Sequence, residues 1–127
     1  MVASYSSGDF QYKLVDGVIE LKIEGERLPG SGKNLAREFR NQAPRANTNL
    51  IIFDIRESYH PLTKAEWAEK IERTAILFKG YILALVIRPD QMIESMEMQQ
   101  AHEAKGGIIK TFSRPGDARE WVLNPDT

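Results

Sequence analysis

The residues Leu50 to Ile55 read LIIFDI, an apolar run broken only by Asp54. A half-buried strand or an amphipathic helix carries a regular polar face, and this run has none. It therefore predicts a central β-strand covered on both faces, as in a parallel sheet flanked by helices. Tyr81 to Ile87 repeats the pattern, and Pro89 closes it. Parallel neighbours cannot be joined by a tight turn, so the segments between these runs must be crossovers, usually helices.

The intervening segments fit that demand. Lys64 to Phe78 has an inner stripe of Trp67, Ala68, Ile71, Ala75 and Phe78, with Glu66–Lys70 and Glu69–Arg73 as i,i+4 pairs on its outer side. Thr63-Lys64-Ala65-Glu66 fits a capping box, in which the Thr hydroxyl and the Glu carboxylate serve each other's orphan amides. Lys33 to Ala43 reads as a helix with Leu35, Ala36, Phe39 and Ala43 on one face and Pro44 as its stop. Gln91 to Ala104 is a further helix, ended by Gly106-Gly107; Ile108 to Phe112 is a last short strand. Pro115 then opens a final helix with Ala118, Trp121 and Val122 turned inward. At the other end, Phe10–Val15 and Val18–Ile23 flank Asp16-Gly17, the residue pair that a two-residue hairpin turn favours. Residues 1–9 are expected to be a flexible tail ahead of one domain spanning 10–124.

Composition narrows the function. The chain has 17 Lys and Arg against 18 Asp and Glu, with no block of like charge, which argues against nucleic acid as a partner. It has no cysteine, so thiolate metal sites and thiol nucleophiles are excluded, and a cytoplasmic setting is expected. No His-x-x-x-His or comparable ligand spacing is present, and neither a metal nor a cofactor is expected. The longest apolar run falls far short of the ~20 residues a membrane helix needs, and the N-terminus lacks a signal peptide's basic flank and apolar core.

The full order, β-β-α-β-α-β-α-β-α, is similar to that of the STAS domains, the sulphate-transporter and anti-sigma-factor-antagonist family that includes SpoIIAA-like proteins. Two stretches carry the resemblance: LIIFDI with its following polar loop and helix, and the ending GGIIKTFSRPGDAREWV. The resemblance covers Phe10 to Leu123. It implies a single α/β domain with a mixed, mostly parallel sheet, an N-terminal hairpin and four helices. It also implies a non-enzymatic regulatory or protein-interaction module. Regulatory members carry Asp-Ser-Ser-Gly at the helix start after the central strand, with a serine phosphorylated by a partner kinase. Here Leu62-Thr63-Lys64-Ala65 stands in that place, without the acidic residue or the glycine. Thr63, and Ser58 in the preceding loop, are the candidate phosphoacceptors. The looser branch of the family is similar to lipid-binding Sec14 architecture, which implies a small apolar ligand as the alternative.

Residue by residue, the candidates separate as follows. The loop Arg56, Glu57, Ser58, Tyr59 and His60 is the expected partner surface. Met98, which leaves the face shared by Met92 and Met96, is expected to join it, with Met92 and Ile93 in the core. Ser31, Gly32 and Lys33 form a candidate anion site at a helix start. The spacing argues against a nucleotide-hydrolysing loop there, because Arg27 occupies the first-glycine position and Asn34 replaces the hydroxyl that would hold Mg²⁺. Asp54 is expected to accept loop amides and fix the turn after the strand. A hydrolase built on Asp54 and His60 is a third reading, and requires the two side chains to meet. Trp67 and Trp121 are both expected in the core.

Overall fold

Among the described residues, six strands lie side by side in chain order; three helices connect the last four strands and a fourth helix follows the sheet. The computed structural model describes residues 4–6, 10–28 and 30–125. Strand β2 (Phe10–Val15) runs antiparallel to both its neighbours, β1 (Ser4–Ser6) and β3 (Val18–Glu26); β4 (Leu50–Tyr59), β5 (Ile82–Val86) and β6 (Ile108–Phe112) continue parallel to β3. The helices are α1 (Lys33–Ala46), α2 (Lys64–Leu77), α3 (Met92–Ala104), which follows a 3₁₀ turn at Pro89–Gln91, and α4 (Pro115–Leu123). This is the expected α/β layout, with one added strand. Ser4–Ser6 lies inside the segment expected to be a tail; its backbone pairs with Gln11–Lys13, a pairing that leaves no apolar period to read. The rest of that segment, 1–3 and 7–9, lies outside the described residues.

The sheet has two different faces. Leu21, Phe53, Leu83, Leu85 and Ile109 pack against Phe39 of α1, Ile71 of α2 and Met98 of α3. On the reverse, Val18, Ile52, Ala84 and Val86 receive Ala118, Trp121 and Val122 of α4. Successive helices on one face of a sheet in chain order are what repeated crossovers of a single hand produce. The alternation along β4 and β5 is therefore apolar toward both layers, as the uninterrupted runs require.

Three boundaries differ from expectation. Pro44 does not stop α1; it sits in the last turn, where its missing amide removes only one bond, and the helix ends at Asn47 in the left-handed region with φ 54°. Both β3 and β4 run past their apolar cores, to Glu26 and Tyr59, so Arg56–Tyr59 is strand and not loop. Pairing to β3 sustains this end of β4, and it resumes after a bulge: Lys22 faces Asp54, but Glu24 faces Glu57. One extra β4 residue thus reverses the alternation, a device that re-aims side chains.

Candidate functional site

The bulge sets the site. With strict alternation Ile55, Glu57 and Tyr59 would share a face; instead Ile55 and Ser58 both line the inner side. Beyond Asp54, β4 has lost its β5 neighbour, and its carbonyls are taken by side chains. Gln91 donates through Nε2 to Ile55 O at 2.9 Å and Ser58 O at 3.1 Å, while its Oε1 accepts the Arg88 amide at 2.8 Å. Arg88 Nη1 donates to Arg56 O and to Ser58 O. The sequence reading missed both residues. Gln91 was legible only as the first member of the polar-containing spacing Gln91, Ser95, Met98, His102, which is the buried stripe of α3.

Above this strand end a cleft of about 480 Å³ opens between α1 and α2. Helix α2 packs against α3, whereas α1 leans over β2, so the two helices part. The walls and floor include Leu35, Ala36, Phe53, Ile71, Leu77 and Phe78. Phe78 meets Phe39 and Phe53 edge-on, with centroids 5.2 and 5.3 Å apart, which stiffens the floor. The lining also carries Arg27, Lys33, Arg40, Lys70 and Arg73, against one acid, Glu94. Lys70 does not pair with Glu66, whose carboxylate serves the capping box; its ammonium donates to Ser31 O at 2.6 Å and Leu28 O at 3.2 Å across the cleft mouth. Burial, then the nearby Arg27 and Arg73 cations, hold the Lys70 pKa below the ordinary lysine value. The unfolded chain therefore binds the proton more tightly, so Lys70 costs stability at neutral pH, and that cost fades as pH rises through its lowered pKa.

The expected site residues fall in different places. Thr63 is exposed and caps α2 as anticipated: its Oγ accepts the Glu66 amide at 3.2 Å, and its own amide donates to Glu66 Oε1 at 3.0 Å. Ser58 is not a loop serine. It is 5 % exposed and its hydroxyl donates to Ile55 O at 2.8 Å, so a kinase would have to open the bulge to reach it. Tyr59 and Glu57 are exposed and Arg56 half-exposed. His60 stacks on Trp67 with centroids 4.1 Å apart and approaches Glu94 at 3.2 Å. Trp67 is therefore a half-buried wall of the cleft, its indole donating to Glu97, while Trp121 is core. Ser31, Gly32 and Lys33 stand at the cleft mouth.

The expectations for α3 are overturned as well, and the geometry that the third reading requires is absent. Met98 is 8 % exposed and packs in the core, whereas Met92, Ile93 and Met96 are exposed, Ile93 at 74 %. The helix is turned by its polar anchors: Gln91 reaches the bulge carbonyls and His102 contacts Tyr81 O at 3.0 Å, which carries Met98 inward between them. Asp54 and His60 do not meet. Asp54 faces the α4 layer, in a groove with Arg119 and Pro115, and its carboxylate accepts the Arg56 amide at 3.0 Å and the Arg56 guanidinium at 3.0 and 2.8 Å. It thus fixes the strand end, as expected of an Asp held by a local amide, and the sheet separates it from His60 in the cleft.

Fold and cleft together define an α/β domain with a ligand-sized cavity at the carboxyl ends of its strands, where such sheets collect ligands. No family model matches the chain, and no curated protein matches it. Among the described residues no group of acids and histidines could hold a metal ion, and no helix is long and apolar enough to cross a membrane.

Proposed function

We propose that this chain is a non-enzymatic binding module that holds a small apolar ligand in the cleft between α1 and α2, as a carrier or sensor. The observation that carries this reading is the cleft itself: about 480 Å³, between the walls of two helices that part, over a floor of packed aromatic rings. Its size falls within the ~300–1,000 Å³ common to small-molecule sites. The similarity of the looser STAS branch to lipid-binding Sec14 architecture supports the same reading, whereas the STAS resemblance as a whole supports the second reading below.

A protein-interaction role is the second reading, and a different surface favours it. The outward apolar residues of α3, Met92, Ile93 and Met96, form the adaptable face that Met98 does not provide.

The cleft is tested by filling it. Ala36 lines the wall on α1, and Ala36→Trp places an indole in the cavity. The wild-type protein is expected to enhance the fluorescence of the neutral apolar dye phenylnaphthylamine, and to release a small-molecule mass when native protein is denatured in the mass spectrometer. Ala36→Trp is expected to lower dye affinity about tenfold or more, equivalent to ~1.4 kcal/mol or more, with the melting temperature kept or raised. Equal dye binding by both proteins would refute the cleft as the site.

A further inference from the structure

We infer that the ligand is an amphipathic anion, its charged head held where Arg27, Lys33 and Lys70 gather at the start of α1 and its apolar body against Leu35, Phe53 and Phe78. The inference deepens the proposed binding role and rests on it.

Charge is the first argument. The whole chain is close to neutral, at −1, yet the cleft lining draws five basic residues and one acid. The acid, Glu94, lies beside His60, not among the cations at the α1 start. Of the five, Arg27 and Lys70 are the two that meet at Gly32, and Lys33 follows that glycine in the chain, so these three define the head position.

Geometry is the second. Gly32 has φ 95°, and the point where a side chain would begin there lies 3.8 Å from Arg27 Nη2 and 4.0 Å from Lys70 Nζ. Two cations from different elements thus converge on one point that glycine leaves open. Arg27 is 4 % exposed and its Nη1 donates to Glu24 O at 3.4 Å, so the guanidinium is held from within the fold. Lys70 carries three N–H donors and spends two on loop carbonyls, leaving one for an anionic oxygen. Lys33 adds a cation in the first turn of α1, which has no acidic residue there and no side-chain cap.

Electrostatics is the third. Burial first, and then the nearby Arg27 and Arg73 cations, hold the Lys70 pKa down, a cost that an anion at the same place would offset. The cation cluster and the aromatic floor together call for an anionic oxygen head and an apolar body, which either a carboxylate or a phosphate monoester supplies.

Calorimetric titration of the intact chain with octanoate, octyl phosphate, octanol, octylammonium and inorganic phosphate tests this. Octanoate or octyl phosphate should bind at least about tenfold tighter than octanol, and octylammonium weaker still; whichever anion is tighter identifies the head. Lys70→Met should reduce the affinity for the anionic ligands about tenfold and leave octanol unchanged. Lys33→Glu, on an exposed first turn, should reduce it too without threatening the fold. Octanol binding as tightly as octanoate would overturn the anionic head while leaving an apolar cleft intact. Inorganic phosphate matching octyl phosphate would overturn the apolar body. Failure of every ligand, octanol included, would remove the binding reading itself.

Discussion

Replacing Gly107 with alanine is expected to destabilise the fold by about 3 kcal/mol. The residue follows α3 and its amide donates to His102 O at 3.0 Å. A Cβ added there would lie 2.3 Å from His102 Nε2 and 2.4 Å from its Cδ2. The imidazole cannot swing away freely, because it is 2 % exposed and its Nε2 contacts Tyr81 O at 3.0 Å. Moving it therefore adds the loss of a buried polar contact to the cost of overpacking. Urea unfolding should show a lower midpoint with an unchanged slope. A double-mutant cycle identifies the cause: in a His102→Ala background, Gly107→Ala should cost well under about 1 kcal/mol, because the clashing ring is gone. Additive losses in the cycle would show that the ring is not what Gly107 accommodates.

Gln91→Leu is expected to cost about 2–3 kcal/mol and to disturb the cleft as well. The side chain makes three hydrogen bonds from a site that is nearly closed to water. Leucine of similar volume would keep the packing but leave the Arg88 amide without Gln91 Oε1 and would take one donor each from Ile55 O and Ser58 O. Those carbonyls retain bonds from Ser58 Oγ and Arg88 Nη1, which is why the loss is bounded. Because the same bonds hold the bulge that faces Ser58 into the cleft, dye affinity should fall together with stability. A stable Gln91→Leu protein with an unchanged unfolding midpoint would show that the bulge is held by β3 pairing alone.

What could be read before folding, and what could not, follows from how far apart the interacting residues lie. The Asp16-Gly17 turn, with Asp16 at φ 49° and Gly17 at φ 77°, and the Thr63–Glu66 capping box are local devices written in neighbouring residues, and both are present. The buried strands were legible because a run without a polar face leaves few alternatives. The bulge in β4 was not, since it arises from pairing with β3 and leaves no mark on hydrophobic period. That single extra residue is why Ser58 is a cleft residue and not a loop serine. Helix α3 misled for a related reason. Its apolar Met92, Ile93 and Met96 face outward because Gln91 and His102 each find a polar partner on the sheet side, while the buried Ser95 hydroxyl is satisfied within the helix by Met92 O. Hydrophobicity alone predicts the reverse. Ser31, Gly32 and Lys33 could be singled out as a possible anion site, but Arg27 and Lys70 come from a strand end and from the middle of another helix. Only the crossover brings them to Gly32.

The central claim is that the cleft between α1 and α2, and not the outer face of α3 or the groove beneath α4, is the working surface. Mapping amide NMR shifts during an octanoate titration tests it most directly. The account predicts saturable shifts concentrated at Gly32, Ala36, Ile71 and Thr74, with Met92 to Met96 and the Asp54–Arg119 groove unmoved. Shifts centred on the α3 face or on that groove, or no saturable shifts at all, would contradict it.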